Sequence, residues 1–274
     1  MRISIPEFDN KKATFDYLVK NKKQLISKKK MGVVKSDPFY FSPAILPANG
    51  KTSFSFKSLE ESQEADQDTL RVKVVANTAN WIDSHLDMIL EGAATKSINE
   101  RKSLIPHLYD HEHSVMAEVG DVVDIYPQKL QLRELGINRE GSTESIIFVS
   151  DVKKEYNERV FDRYKKGKAT QHSIGLQYVK LELAVNDKDY EKEYDFFKKY
   201  YDIAINPEAA DQYGYFWIVS EYKLIENSVV LFGSNELTGT LEVEGEEKSL
   251  EPFLEHSKEN KTSKITRLAK LIKH

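Results

Sequence analysis

The sequence predicts an α+β fold, an antiparallel barrel or sandwich decorated by helices, and three observations support this prediction. Segments with strand character outnumber helical segments and are rich in Val, Ile, Tyr and Phe. Helices do not separate these segments regularly, as they would in a doubly wound parallel sheet. Hydrophobic residues make up 40% and aromatic residues 11% of the 274 residues, which is enough for a sizeable core.

Composition excludes several classes of protein. The chain has no cysteine, which excludes disulfide scaffolds, thiol catalysis and cysteine-ligated metals. A net charge of −4 provides no overall attraction to nucleic acid. No apolar run approaches the roughly 20 residues of a membrane span, and residues 1–6 lack the apolar stretch of a secretory leader. We therefore expect a soluble intracellular protein, without membrane or specific nucleic-acid partners.

The first 68 residues differ in character from the rest. Residues 11–30 hold eight lysines against one acid, and their apolar residues fall near helical spacing, which predicts a basic amphipathic helix. Three prolines follow between 38 and 47, and residues 58–68 are acidic and poor in large apolar groups. We predict residues 1–68 as an N-terminal basic appendage and linker.

From residue 69 onward, strand character dominates. Residues 70–76 alternate apolar and polar side chains, as a half-buried strand does. Further strands are predicted at 119–126, 130–135, 145–150, 172–184 and 214–232. Helices are predicted at 152–166 and 187–202 from apolar spacing and charge.

The last segment, 238–274, is predicted as an acidic linker followed by a basic C-terminal helix. Residues 242–251 hold five glutamates and one lysine, and residues 264–273 combine an apolar stripe with basic side chains. Both termini are thus basic amphipathic segments, which either dock on an acidic partner or pack on the core.

A cluster of histidines and acids occupies residues 107–113. His107, His111 and His113 lie close to two acidic residues, so the cluster could ligate a metal, supply a general base or have no chemical role. The HExxH order of many zinc sites is absent, and Pro106 indicates a loop. These alternatives remain open on local sequence.

A nucleophile and an acid stand elsewhere in the chain. Ser173 begins a predicted strand and has Gly175 two residues later, where a glycine lets the backbone approach a substrate closely. His172 cannot serve Ser173, because adjacent strand residues point to opposite faces. Glu226 interrupts a strongly apolar strand, where a carboxylate forms a salt bridge, lies on a locally exposed strand face or orients an imidazole.

Four sequence blocks, in this order over residues 70–235, resemble the caudovirus prohead serine proteases, a family similar in fold to the herpesvirus assemblins. The blocks are a strand at 70–76 followed by Asp83 or Asp87 and Gly92-Ala93; Leu108-Tyr109-Asp110-His111 followed by Val119-Gly120; Lys166-Gly167 leading into Ser173-Ile174-Gly175; and Glu226-Asn227-Ser228-Val229-Val230 with Asn235.

The resemblance implies a helix-decorated, mainly antiparallel β-barrel over residues 69–237 and a Ser-His-Glu triad without cofactor or metal. Ser173 would be the nucleophile, His111 the base and Glu226 the third member, with His113 and Glu221 as the second choices. The substrates would be scaffold protein, major capsid protein and the chain itself, inside an assembling procapsid in the host cytoplasm, and the active form could be a homo-oligomer. The alternative is a non-catalytic capsid or scaffold module with the same fold.

Overall fold

The computed structural model describes residues 5–35 and 68–244. Eight strands in this part of the chain form one large mixed sheet. They are β1 (Thr69–Thr78), β2 (Asp87–Ile89), β3 (His107–Tyr109), β4 (Glu118–Gln131), β5 (Ser142–Lys153), β6 (Gln171–Val185), β7 (Tyr215–Val230) and β8 (Thr240–Glu244). The α+β class predicted from the sequence is therefore confirmed.

The sheet runs in the order β2-β7-β3-β4-β5-β1-β8, and β6 pairs with β7. Most neighbours are antiparallel, but β2 and β3 each run parallel to β7. The described strands do not close into a barrel through a continuous ladder. Their ends meet at an isolated bridge between Gln171 of β6 and Gly239, which directly precedes β8.

Six α-helices decorate the sheet within the described residues. They are α1 (Lys11–Lys20), α2 (Lys22–Lys30), α3 (Thr95–Arg101), α4 (Glu158–Lys165), α5 (Glu191–Tyr201) and α6 (Pro207–Tyr213). The predicted helix over residues 152–166 is shorter, because Val152 remains in β5, buried between β1 and β4. The two strands predicted at 119–126 and 130–135 are a single strand, β4, which ends at Gln131. The remaining residues, 132–135, form a turn.

Residues 11–30 form two consecutive helices that pack on the sheet. The Asn10 side chain caps α1 by accepting a hydrogen bond from the backbone of Ala13 at 2.9 Å. Phe15, Leu18 and Leu25 are buried in the same hydrophobic core as the strands. Of the two alternatives for this basic segment, the structure thus shows packing on the core.

Residues 240–244, which the sequence predicts as part of an acidic linker, form β8. This strand pairs with β1 in antiparallel register and buries Thr240 and Val243. The predicted C-terminal helix at 264–273 and the residues of the proline-rich and acidic segments between 36 and 67 lie outside the described part of the chain.

Strands β6, β7 and β3 lie side by side, with β7 in the middle, and their side chains alternate between two faces. One face, here called the site face, carries Ser173 and Gly175 opposite Ser228 and Glu226. The other, the core face, carries the remaining alternate residues of the same strands. This alternation decides which side chains can meet.

Candidate active site

A tight turn after β3 presents His111. Asp110 and His111 both have left-handed backbone angles, with φ of 50° and 57°, and the N–H of Glu112 donates to the carbonyl of Tyr109 at 3.1 Å. Two successive positive φ values define a type I′ turn, in which Asp and His are among the more tolerant non-glycine residues. The N–H of His111 donates to Ser228 Oγ at 3.1 Å, which ties the turn to β7.

Glu226 of β7 contacts the imidazole directly. Its Oε1 lies 2.6 Å from His111 Nδ1, and both residues are buried. The other carboxylate oxygen, Oε2, accepts a hydrogen bond from Ser228 Oγ at 2.6 Å. A carboxylate at Nδ1 holds the tautomer in which Nδ1 carries the proton, so Nε2 is the nitrogen that can accept another. The structure therefore brings two of the three predicted residues together.

Gly175 makes room for this carboxylate. It lies opposite Glu226 in the β6–β7 ladder, and a Cβ at position 175 would stand only 2.2 Å from Glu226 Oε1. Any side chain here would displace the carboxylate from the imidazole. The glycine that the sequence places two residues after Ser173 thus accommodates Glu226, in addition to any role toward a substrate.

Ser173 lies on the site face two residues before Gly175, directly opposite Ser228. It is 5% exposed. Within the described part of the chain, its hydroxyl forms no hydrogen bond with His111, although it shares a face with Glu226 on the adjacent strand. Catalytic hydrogen bonds are often long before substrate binds, so this placement is compatible with a role as nucleophile.

The second choices for base and acid occupy different surroundings. His113 is exposed. Glu221 lies near the surface, where Lys180 pairs with it and Lys96 lies 3.8 Å away, and the hydrogen bond from Lys180 lowers the pKa of its carboxyl group. Neither is in contact with the His111–Glu226 pair.

The histidines do not converge as a metal site would require, because His107 points to the core face. There, Tyr164 of α4 lies between two fully buried histidines, its hydroxyl 3.2 Å from His107 Nε2 and 2.8 Å from His172 Nε2. Burial lowers the pKa of His107 to about 3, and burial together with His107 lowers the pKa of His172. Both imidazoles are thus neutral. His172 lies on the face opposite Ser173, as strand alternation predicts.

One group of potential metal ligands does exist in the described residues. The ligand atoms of Asp83, His85 and Asp87 all lie within 4.8 Å of one another. Asp87, however, already pairs with the buried Lys29 of α2 at 2.5 Å and accepts a hydrogen bond from Tyr178. Burial and the negative charge of Asp87 raise the pKa of Asp83 to about 8. The ammonium group of Lys29 thus supplies the positive charge that a cation would otherwise bring.

This acidic group borders a small cavity of about 20 Å³ that also touches Ser173. Local sequence did not indicate that α2 reaches this region, because the contact of Lys29 with Asp87 spans 58 residues. The role of Ser228 was likewise missed, although its position two residues after Glu226 on a strand places both side chains on one face.

Comparison of this chain with models of protein families, with curated proteins and with solved structures gave no match. In the described residues, none of the helices has the length and apolar character needed to cross a membrane.

Proposed function

We propose that this protein is a serine endopeptidase that acts through Ser173, His111 and Glu226. The observation that carries the proposal is the buried contact of 2.6 Å between Glu226 Oε1 and His111 Nδ1, on the face that also carries Ser173. A carboxylate and a serine hydroxyl on neighbouring strands, with an imidazole from the turn after β3, are the groups that nucleophilic acyl transfer uses.

In the proposed reaction, His111 Nε2 takes the proton of Ser173 as Oγ attacks the carbonyl carbon of a peptide bond. The carboxylate of Glu226 keeps the imidazole oriented and stabilises the imidazolium that forms. The imidazolium then protonates the leaving amine, and the C–N bond breaks to give an acyl-enzyme. His111 next activates a water molecule, which hydrolyses the ester and restores the serine hydroxyl.

The resemblance of residues 70–235 to prohead proteases supports a more specific version of this proposal. The substrates would be scaffold protein, major capsid protein and the chain itself, and the site of action the assembling procapsid in the host cytoplasm. The sheet would form a barrel that closes at the bridge between Gln171 and Gly239. The active form would be a homo-oligomer.

The test compares purified wild-type protein with Ser173→Ala at neutral pH. One portion of each protein is incubated with a small fluorophosphonate, which esterifies activated serines and blocks cleavage, and a second portion without it. The intact mass of both portions is followed over time. In the wild type we expect one adduct on Ser173 in the portion with the reagent and discrete self-cleavage fragments in the portion without it, and neither in Ser173→Ala.

Ser150→Ala is the matched control. Ser150 is also a buried strand serine, and its hydroxyl has no hydrogen-bond partner among the described residues, so the truncation leaves none of their groups unpaired. This variant should behave as wild type. Identical fragments in wild type and Ser173→Ala would indicate a contaminating protease. Absence of both adduct and fragments from folded wild-type protein would favour the non-catalytic capsid module.

A further inference from the structure

The outer edge of β6, opposite β7, is paired on both sides of Ser173. On one side, Gln171 forms a bridge with Gly239. On the other side, Val34 forms an antiparallel bridge with Leu176, in which the N–H of Val34 donates to the Leu176 carbonyl at 2.8 Å and the N–H of Leu176 donates back at 3.2 Å. Residues 172–175 lie between the two bridges.

The same N-terminal segment also reaches the histidine turn. The Nζ of Lys35 donates a hydrogen bond to the carbonyl oxygen of His111. Two adjacent residues, hereafter the Val34–Lys35 segment, therefore contact the strand that carries the candidate nucleophile and the turn that carries the candidate base.

The helices that precede this segment hold it close to β6. Leu18 and Leu25 are almost fully buried in the main core, and the pair between Lys29 and Asp87 is buried as well. A segment tethered in this way competes for its site at a high effective concentration, so a separate peptide displaces it only with difficulty.

An extended peptide that binds beside Ser173 would add as a strand along this edge, because the backbone groups of an edge strand are the natural partners of another strand. If this peptide runs in the same direction as the Val34–Lys35 segment, the N-terminal part of the peptide lies beside Leu176. Leu176 is three residues beyond Ser173 in the sequence, or about 10 Å along a strand. That position is occupied by Val34.

We propose that the Val34–Lys35 segment is a resident occupant of the peptide-binding edge, and that an extended substrate must displace it whereas a small acylating reagent need not. The inference rests on the proposed function, since it assigns a regulator to the same site. The segment slows the cleavage of polypeptides, self-cleavage included, because only molecules in which the bridge to Leu176 has opened can bind them.

The experiment uses two probes with the same fluorophosphonate group, one carrying a short alkyl chain and the other an extended alanine hexapeptide on the acyl side. The rate of Ser173 labelling is measured with each probe, and the ratio of the hexapeptide rate to the alkyl rate is compared between variants. The small probe reports the function of the site, and the ratio reports access to the edge.

Val34→Pro removes the N–H that donates to Leu176, and we expect the ratio to rise by roughly fivefold, the usual effect of one hydrogen bond. Gly32→Ala is the control, because a Cβ at position 32 meets no atom of residues 5–35 and 68–244 within 4 Å, and it should leave the ratio unchanged.

A disulfide gives the opposite change in a single protein. The chain has no cysteine, so a Val34→Cys/Leu176→Cys double variant contains one possible bridge. A hydrogen-bonded antiparallel pair has Cα atoms about 5.5 Å apart, within the range of disulfides. Oxidation should lower the ratio by at least about tenfold, and reduction should restore it.

The outcomes separate the two proposals. A small probe that labels Ser173 while the ratio stays constant across Val34→Pro and both redox states would overturn the autoinhibition alone. Failure of the small probe to label Ser173 in folded wild-type protein would remove the proposed function together with this inference.

Discussion

The two faces of strands β3, β7 and β6 each carry a histidine network, and the networks differ in the partner of the imidazole. On the site face, His111 contacts the carboxylate of Glu226 at 2.6 Å. On the core face, His107 and His172 share the neutral hydroxyl of Tyr164. All three histidines are buried.

This difference determines whether an imidazole can carry a charge. Burial without a carboxylate drives the pKa of His107 to about 3, so the core-face imidazole stays neutral and acts only through hydrogen bonds. A buried imidazole beside a carboxylate has a partner for the positive charge that proton transfer creates. A histidine by itself therefore does not identify the candidate site. The group that contacts the imidazole, a carboxylate or a hydroxyl, distinguishes the two faces, and strand alternation decides which group that is.

The largest expected effect comes from removal of the site-face imidazole. His111→Gln should lower the rate of peptide hydrolysis by about 10⁴-fold or more, because loss of a triad base removes proton transfer from the serine. His113→Gln is the matched control two residues away, and its exposed side chain should be dispensable. Similar losses in both variants, measured as initial rates at saturating substrate, would contradict the assignment of the base.

The next effect concerns the carboxylate. Glu226→Gln keeps the shape but removes the charge that stabilises the imidazolium, and we expect the turnover rate to fall by about 10³- to 10⁴-fold. Glu221→Gln changes a glutamate of the same strand that pairs with surface lysines and should retain wild-type turnover. A larger loss in Glu221→Gln than in Glu226→Gln would reverse the choice between the two acids.

Local patterns predicted those features that depend on short stretches of chain. Alternation in residues 70–76 predicted β1, and the same rule separated His172 from Ser173. Glu226 stood out because a carboxylate within an apolar strand needs a partner, and the structure provides that partner in His111.

Features that depend on long-range pairing could not be read in this way. β8 was hidden because alternating glutamates make residues 242–244 resemble a linker, whereas pairing with β1 makes them a strand. The contact of Val34 with Leu176 joins segments 142 residues apart (176 − 34), and no local pattern specifies such a partner. The steric need for Gly175 likewise follows from the β6–β7 register that places it opposite Glu226.

Gly175→Ala sharpens the comparison by moving the carboxylate without deleting it. A methyl group 2.2 Å from Glu226 Oε1 must push the carboxylate away from His111, so we expect roughly a 10²-fold lower turnover rate and a loss of stability of about 1–3 kcal/mol. Gly32→Ala serves as the control, and chemical denaturation measures stability. Wild-type turnover in Gly175→Ala would mean that close contact of Glu226 with His111 is not needed.

The core face predicts a loss of stability in acid. Because the folded pKa of His107 lies near 3, below the ordinary value of 6.5, the unfolded chain binds the extra proton between these pH values. The contribution to stability is therefore complete above about pH 6.5 and decreases as pH falls, with a slope of about 1.4 kcal/mol per pH unit.

His107→Gln should reduce the dependence of the unfolding free energy on pH between 4 and 6 by about that slope, as measured by urea denaturation at each pH. The carboxyl of Asp83 acts in the opposite direction, since its raised pKa of about 8 stabilises the fold at low pH and the effect is lost as pH rises. Asp83→Asn should therefore steepen the acid loss. An unchanged pH dependence in His107→Gln would show that the buried imidazole becomes protonated in the folded state.

The smallest effect tests whether the two faces act independently. Tyr164→Phe removes the hydroxyl between His107 and His172, and because it leaves buried imidazole nitrogens unpaired we expect a loss of about 1–2 kcal/mol. Tyr156→Phe removes an exposed tyrosine hydroxyl that contacts Asp121 and should cost less than about 0.5 kcal/mol. If the faces are independent, turnover stays within about twofold of wild type in both variants. A tenfold lower turnover in folded Tyr164→Phe would instead mean that the core-face histidines position the strands carrying His111 and Ser173.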